Sequence, residues 1–468
     1  MTKQTIFTLE WKRFMRRPAA RLALLVWPAL LLFAAWNGQQ FHAQKAAQQA
    51  QLKNKETSYY AAQEALLDSL ERGWKAADEL PWFEQPSNPL VVGAFRRAGV
   101  YQLKPPPAMA WLSIGQADVY PDHYRTGMLS LSAATSVSLQ NPYHQAIGRF
   151  DPAFLLVFLL PLLLIVLGYD LLSADREGGT WPLLQTYAGA PQRLLAVRGL
   201  LLWLFAGLTT LLPLLAFGLF TQSLAFGAFA ALALAVGAYA LFWTGLAAWV
   251  NAMGRSSVIN GLALTGIWAL LLFLLPAAVN TLINSLYPMP SRMSQVAARR
   301  TADVQADLAQ PDLLDQWYAQ HPEIERLPED QWTWAEYWRH NFINNTYKDS
   351  LMQAANQPFE ASLQERTALL RKLQYLSPAI VMNECLLRLA AVSQEDFSAF
   401  KAQAQAFKTT WHDHFAAFFW ERRDLSLQDL QNRPDPSPAA PAAPQPGLWI
   451  ALVLWGLLPA ALSVRQRA

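Results

Sequence analysis

Two apolar runs, Phe154 to Leu172 and Gly199 to Phe220, are joined by a short charged segment that contains adjacent glycines. Each run is close to the ~20 residues that a helix needs to cross the hydrocarbon core of a bilayer. The connecting segment, Ser173 to Leu184, cannot sit in hydrocarbon, but it can form a short amphipathic helix against a membrane or a soluble partner. This pattern indicates a polytopic α-helical membrane protein.

The chain has 468 residues, of which 53% are hydrophobic and 15% are charged, so apolar and polar sequence must be segregated. Five uncharged runs are long enough to span a bilayer. A sixth run, at 22–36, is shorter and reaches spanning length only if Ala19 and Ala20 are included and Arg21 extends to the interface. A cleaved signal peptide is the alternative, but no small-x-small cleavage site follows the run. We therefore predict six spans, at 22–36, 152–172, 199–220, 224–250, 258–279 and 447–464.

Lysine and arginine near the spans predict the orientation, because positively charged residues resist translocation. The basic residues concentrate before the first span, between spans two and three, between spans four and five, and after the last span. We expect these segments, and with them both termini, in the cytoplasm. The same topology places two large inserts, 37–151 and 280–446, outside the cytoplasm.

Periodicity in the inserts predicts a mainly helical extracytoplasmic domain. In the first insert, Ala43 to Leu80 has helical spacing, and the prolines and glycines of Pro81 to Asp122 favour short strands and loops. We expect both inserts to share one core. Residues 434–446 are proline-rich and indicate an extended tether, with a ligand for a proline-binding module as the alternative. Five helices are predicted in the second insert, at 293–318, 332–356, 358–376, 378–391 and 395–419.

Several chemistries find no support in the sequence. There is no phosphate-binding loop, His-Glu-x-x-His helix or Gly-x-Ser-x-Gly elbow, so we predict no catalytic, cofactor or metal site. His412 and His414 are two residues apart and would face different directions on a helix. Cys385 is the single cysteine and reads as buried and structural. The net charge of +3 reflects basic segments beside the spans, and we expect no nucleic-acid partner.

Ionisable residues are nearly absent from the predicted spans. Spans three to five contain no charged side chain, which argues against an ion-coupled carrier. Asp170, at the end of span two, marks the interface or forms an ion pair with a cytoplasmic arginine.

The segment from 173 to 198 resembles the connection between spans two and three in ABC-2 type ABC transporter permeases. The resemblance rests on its acidic-Arg-Glu-x-Gly-Thr pattern, followed by two leucines and Ala190-Pro191. Asp175 stands where that family commonly has glutamate, and Trp181-Pro182 replace an aliphatic-acidic start. The resemblance implies that this segment is a coupling helix that contacts an ATPase. The implied contact residues are Asp175, Arg176, Glu177, Gly178, Gly179, Thr180, Leu183 and Leu184.

Other parts of the chain are similar to the same family. Residues 1–21, with Trp11, Arg13 and Phe14, resemble the amphipathic elbow helix that precedes span one. Asp151-Pro152, Tyr347-Lys348 and Ser377-Pro378 resemble features of a subgroup with large extracytoplasmic inserts of unknown function. The resemblance implies the bacterial cytoplasmic (inner) membrane, a second permease that is identical or similar, and ATPase subunits that bind ATP and Mg.

The expected function is that of an exporter permease, with Thr265, Asn280 and Asn284 as the candidate translocation path. In a second hypothesis nothing crosses the membrane, and the stroke of the ATPase remodels a periplasmic protein bound to the inserts. A third hypothesis is a membrane-anchored scaffold without an ATPase. Copurification with a nucleotide-binding subunit separates the scaffold from the other two.

Overall fold

The computed structural model describes residues 3–74, 80–81, 83–93, 99–127, 150–188, 191–288, 292–331, 334–421, 423–440, 443 and 445–465. These residues form mainly α-helices, with two antiparallel strands, β1 (Val100–Leu103) and β2 (His123–Thr126). The helices before the second insert are α1 (Lys3–Arg16), α2 (Pro18–Glu71), α3 (Pro89–Gly93), α4 (152–168), α5 (Ser173–Glu177), α6 (Trp181–Ala188), α7 (Pro191–Phe220), α8 (Phe226–Ala252) and α9 (Ser257–Leu286). The remaining helices are α10 (Arg292–Gln320), α11 (Trp334–Leu373), α12 (Pro378–Leu389), α13 (Gln394–Glu421), α14 (Leu427–Gln431) and α15 (Pro446–Arg465).

Five helical stretches of the described chain are long and apolar enough to cross a membrane: Pro18–Glu71, Pro152–Glu177, Arg193–Phe220, Phe226–Ala252 and Ser257–Leu286. They coincide with the first five predicted spans. The sixth predicted span also forms a helix, α15, but its apolar part, Pro446–Leu462, is shorter. The prediction of a helical membrane protein is confirmed, and the count of six spans stays a prediction.

The first span continues without a break into the first insert. Helix α2 has 54 residues and is about 80 Å long at ~1.5 Å per residue. We predicted the first span at 22–36 and a long helix leaving the membrane from Ala43 to Leu80, whereas the structure has one helix that ends at Glu71. Gly38 lies where the helix meets the Trp111 backbone, and a Cβ atom there would be 2.3 Å from the Trp111 carbonyl oxygen. The glycine is therefore explained by close packing and not by a helix end.

Helix α8 lies at the centre of the apolar bundle, where Tyr239 and Trp243 are almost fully buried. Helix α15 packs along it so closely that a Cβ atom on Gly456 would lie 2.7 Å from the Ala238 carbonyl oxygen. Small residues at a helix crossing allow such backbone approach and are typical of helix pairs in membranes. The bundle also contains α2, α4 and α7.

Helix α12 belongs to this same apolar core, although the sequence predicted it within the external domain. Val381, Met382, Cys385 and Leu386 are fully buried among residues of the bundle helices. Ser377 caps α12 and donates its hydroxyl to the carbonyl of Leu271 at 3.0 Å, inside the π-helical turn Leu270–Leu274 of α9. A second π-helical turn, Leu155–Leu159, lies in α4. One helix of the second insert is thus part of the bundle.

The two inserts share one hydrophobic core, as expected. Tyr60 and Leu67 of α2 pack with Trp411 and Phe415 of α13. We call this the insert core; its other buried members are Leu90, Val92, Val100, Phe407, Ala416, Phe418, Leu425 and Leu430. The end of α2 therefore lies in the centre of a domain built from both inserts.

One further feature of the second insert differs from the prediction. Helix α11 runs through Pro358 as one 40-residue helix, where we predicted two helices separated at that proline. The described part of the proline-rich segment is irregular and contacts α13, and its role as a tether stays a prediction. Gln403 donates to the carbonyls of Ser437 and Pro438 and accepts from the amide of Ala440.

Candidate functional site

Helices α5 and α6 form the short polar connection between α4 and α7, as the charged sequence predicts. Gly179 has a left-handed backbone with φ of +70°, which lets the chain turn between the two helices without steric strain. The Thr180 carbonyl accepts from the amide of Leu184, so α6 begins just after Thr180, and Pro182 lies in its first turn. The Thr180 hydroxyl donates to Asp175.

Asp175 is the centre of a buried ionic cluster. Its side chain is 3% exposed and receives two hydrogen bonds from Arg13 of α1, at 3.2 Å and 2.5 Å. Arg198, near the beginning of α7, donates to the same carboxylate. The cluster therefore joins α1, α5 and α7 through one side chain.

Arg198 has further acceptors. Its guanidinium donates to both carboxylate oxygens of Glu10, at 2.8 Å and 3.1 Å, and to the carbonyl of Leu171. We call Glu10, Arg13, Asp175 and Arg198 the charged junction. Buried charges are tolerated when opposite charges and hydrogen bonds satisfy them, and these four residues meet that condition.

The pairing of Glu10 with Arg198 was not among the predictions from the sequence. The signal was present, because Glu10 is the one acidic residue among the basic residues that precede the first span. Asp170, between α4 and α5, and Arg17, between α1 and α2, form a second ion pair nearby, at 2.9 Å. The ion-pair alternative for Asp170 is therefore the observed one.

Glu177 links α5 to the beginning of α9. Its carboxylate accepts from the Ser257 amide at 2.7 Å and from the Ser257 hydroxyl at 2.9 Å. Ser173 also hydrogen-bonds the Ser257 hydroxyl, at 2.7 Å. A carboxylate at a helix N-terminus binds free amides and interacts favourably with the helix dipole.

Asn251 holds the end of α4 to the end of α8. Its amide group donates to the carbonyls of Gly168 and Tyr169 at 3.1 Å, and its oxygen accepts from the Leu172 amide at 3.1 Å. The residue is fully buried. Its importance was not visible in the sequence, because a lone asparagine at the end of an apolar run has no distinctive pattern.

The remaining predicted coupling residues lie at the surface of this connection. Arg176 stacks on the ring of Trp181 at 4.8 Å. Leu183 is 60% exposed, whereas Leu184 packs against the bundle core. Gly178 follows α5 directly. The surface formed by α5 and α6 thus combines an aromatic-cation pair with one exposed leucine.

The elbow region forms the predicted helix, α1, although it ends at Arg16 because Pro18 begins α2. Phe14 is buried and makes an edge contact with Phe205 of α7, with ring centroids 5.1 Å apart. Trp11 lies 6.4 Å from Phe14 and remains partly exposed. Both aromatic packing and the charged junction therefore hold α1 against α7.

The three candidate translocation residues lie on α9, away from the charged junction. Thr265, Asn280 and Asn284 are exposed on the outer surface of this chain. Asn284 accepts a hydrogen bond from Arg366 of α11 at 2.6 Å. Within this one chain they do not form an enclosed path.

The insert motifs have structural partners. Asp151 accepts from the amides of Phe154 and Ile114, both at 2.8 Å, and so caps α4. Lys348 of α11 pairs with Asp307 of α10 at 3.1 Å. These contacts fasten the inserts to the spans and the α10–α11 hairpin to itself.

The histidines and the cysteine lie outside the junction. His412 stacks on Phe342 with ring centroids 4.4 Å apart, and His414 packs on Phe418. Burial raises the pKa of the Cys385 thiol to about 12. Across the described ranges, no group of three or more His, Cys, Asp or Glu residues is placed to hold a metal ion.

Comparison with known proteins gives one match. Residues 292–436, from α10 to just beyond α14, match a family model described as a domain of unknown function, DUF3526. No curated protein and no solved structure matches the chain. The matched segment covers less than half of the sequence and leaves the charged junction outside it.

Proposed function

We propose that this chain is the membrane-spanning permease subunit of an ABC-2 type exporter, driven by a separate ATPase subunit that binds ATP and Mg. The observation that carries the proposal is the position of Asp175. Asp175 lies in the connection between α4 and α7, which carries the motif that resembles ABC-2 permeases. It pairs with both Arg13 of α1 and Arg198 of α7. A push on α5 and α6 would therefore reach α1 and α7 through buried ionic contacts.

The other contacts at this end of the bundle indicate which helices such a movement would reach. Glu177 is tied to the first turn of α9 through Ser257, and Asn251 ties the end of α4 to α8. An ATPase docked on α5 and α6 would thus act on α1, α7 and α9 through direct contacts of α5. In this proposal the junction lies on the cytoplasmic side of the bacterial inner membrane, and the insert core lies outside.

A second permease is part of the proposal. The apolar window of α9 is only 11% buried, whereas the corresponding windows of the other four long helices are 33% to 61% buried. Thr265, Asn280 and Asn284 lie on this same helix. We infer that a second permease, identical or similar, lies across α9 and that these three residues line the path between the two subunits.

Mechanical remodelling of a periplasmic protein is the second candidate function, and the continuity of α2 favours it. Helix α2 begins at the end of the bundle where the charged junction lies, and it extends to Tyr60 and Leu67 in the insert core. Displacement of the start of α2, which follows α1 directly, would therefore reach the inserts through one continuous helix. A small amphiphile that stimulates the ATPase supports export, and a soluble periplasmic protein that does so supports remodelling.

The decisive experiment is copurification with the ATPase in mild detergent. Leu183→Asp places a charge at the exposed leucine of α6 and is expected to reduce recovery of the ATPase at least tenfold. Leu308→Asp is the matched control, because Leu308 is an exposed leucine of α10, in the second insert. Recovery of the wild-type chain without any nucleotide-binding subunit would instead support the scaffold.

A further inference from the structure

A pocket lies where the first insert meets the corner between α12 and α13. Its polar side chains are His42, Lys45 and Gln49 of α2, Lys104 after β1, and Asp122 before β2. Its apolar wall is formed by Pro106, Pro107, Ala117, Ala390, Val392 and Phe397. We call this the Lys104 pocket. It is open on one side and has a cavity volume of about 30 Å³, which leaves room inside for a small polar group.

Lys104 is held in an unusual position for a lysine. Its ammonium donates to the carbonyl of Ala391 and lies 4.9 Å from the centre of the Phe397 ring. Burial lowers the pKa of this lysine, while the nearby carboxylates of Asp396 and Asp122 oppose the shift. The ammonium is thus partly desolvated and retains donors for another acceptor.

Lys45 provides a second ammonium, which lies 5.9 Å from the centre of the Phe41 ring and forms a long ion pair with Asp122. The nearest carboxylate oxygen, on Asp122, is 3.7 Å away, too far for a hydrogen bond. The carboxylate of Asp122 instead accepts from Gln49 at 3.3 Å and pairs with His123 at 2.9 Å. His42 hydrogen-bonds the Ser113 carbonyl through Nε2 at 3.1 Å, so that nitrogen carries the proton.

The backbone of the pocket is also strained. Ala391 has φ of +52°, in the left-handed region that non-glycine residues rarely adopt. It follows α12 in a Schellman turn, with Val392 N bonded to Leu387 O and Ala391 N bonded to Arg388 O. Glycine normally fills this position. Strained residues of this kind cluster at ligand sites, and here the strained residue supplies the carbonyl that positions Lys104.

We propose that the Lys104 pocket binds a phosphate ester, with the phosphate between Lys45 and Lys104 and the carbon atoms of the ester against Phe397 and Val392. Two ammonium groups suit the charge and the several acceptor oxygens of a phosphate. The site is independent of the proposed ATPase coupling, because it is built from the inserts and from the segment of α2 beyond Trp36.

The phosphate has two sources to distinguish, a phospholipid headgroup and a soluble phosphate ester. Lys45 is nine residues beyond Trp36, the last residue of the predicted span, or ~14 Å along α2. The headgroup layer extends ~5–8 Å beyond the hydrocarbon core, so a bound phospholipid would have to rise from the bilayer to place its phosphate there. A soluble ester would reach the open side of the pocket from the aqueous phase.

The test uses the full chain in maltoside micelles, which contain no phosphate. One arm adds phosphatidylglycerol, with diacylglycerol as the lipid that lacks phosphate, and counts retained lipid by native mass spectrometry. The other arm adds glycerol phosphate and measures its affinity by calorimetry. Binding in the first arm alone identifies a lipid, binding in the second alone identifies a soluble ester, and binding in both supports a phosphate from either source.

Two lysine variants make the test specific. Lys45→Gln and Lys104→Gln are each expected to weaken binding about tenfold or more, since each removes a charged donor. Lys45→Gln breaks no short hydrogen bond and should leave the thermal unfolding midpoint unchanged. Lys55→Gln, an exposed lysine of the same helix, is the matched control. Absence of binding in both arms, or equal loss in Lys55→Gln, would overturn the proposal.

Discussion

Arg198 and Asp175 form an ion pair between α7 and α5 with 6% and 3% of their side chains exposed. The two residues are only 23 positions apart in the sequence. Their contact holds the connection between α4 and α7 against the bundle. Because Arg13 binds the same carboxylate, the connection and the N-terminal helix α1 are one ionic unit. This unit explains why the charged segment is ordered at the end of an otherwise apolar bundle.

Removal of Asp175 is expected to destabilise the protein strongly. Asp175→Ala leaves Arg198 buried with only Glu10 as its charged partner, and loss of one member of a buried pair typically costs about 3–5 kcal/mol. Denaturant titration in micelles measures the loss. Asp315→Ala, in the exposed pair with Arg326, is the control and should cost about 0–1 kcal/mol. Equal losses in both variants would show that the junction is not buried.

Gly456→Ala is expected to separate α15 from α8. The new methyl group would lie 2.7 Å from the Ala238 carbonyl oxygen, so a backbone must move. Gly207→Ala is the control, because nothing lies within 4 Å of that position in α7. Alanine favours a helix by about 1 kcal/mol over glycine, so the control should be neutral or stabilising. A lower unfolding midpoint for the first variant only is the expected result.

Cys385 is predicted to be unreactive in the folded protein. Its thiol is fully buried, and with a pKa of about 12 it carries almost no thiolate at pH 7 to 8. Maleimide labelling should therefore occur only after denaturation. The exposed variant Leu183→Cys should label rapidly under the same conditions. Rapid labelling of the wild-type chain would place Cys385 outside the bundle.

Stability of the insert domain is expected to fall as the pH drops below about 6.5. Burial, together with the charges of Arg326 and Arg339, lowers the pKa of His340 to about 4. Between the two values the unfolded chain binds a proton that the folded chain does not, so unfolding is favoured by at most about 1.4 kcal/mol per pH unit. The contribution of neutral His340 to the free energy of unfolding is fully present above pH 6.5 and is lost as the pH falls towards 4.

The His340→Gln variant isolates this effect. The free energy of unfolding should depend less on pH between 6.5 and 4 than in the wild-type protein. His412→Gln is the control, because His412 is partly exposed and stacks on Phe342 in α11. An unchanged slope in His340→Gln would assign the pH dependence to other groups.

Most of the helical framework could be predicted from local sequence. The first five spans appear where uncharged runs predicted them, and α10, α12 and α13 agree with the predicted helices within a few residues. Prediction was weakest at Pro358, where two helices were expected and α11 is continuous. Gly38 lies inside the continuous helix α2, where the Trp111 backbone packs against it.

The candidate site was predicted in part. The acidic, basic and glycine residues of the connection identified Asp175 and Glu177 as important positions, but not what they bind. Their partners Arg13 and Ser257 are distant in sequence, by 162 and 80 positions. Side-chain partners at such separations depend on how the helices pack, and no periodicity within one segment contains that information.

The amino-acid sequence alone determined which segments are apolar, where charge interrupts them and which stretches are helical, because hydrophobicity and helix propensity act over a few turns. The tertiary structure decided that α12 lies in the bundle, which side chains of the two inserts form the insert core, and that Arg13 and Arg198 meet on Asp175. Those outcomes depend on burial of surfaces far apart in the chain. A buried charge acquires its partner only when the helices that carry both have packed.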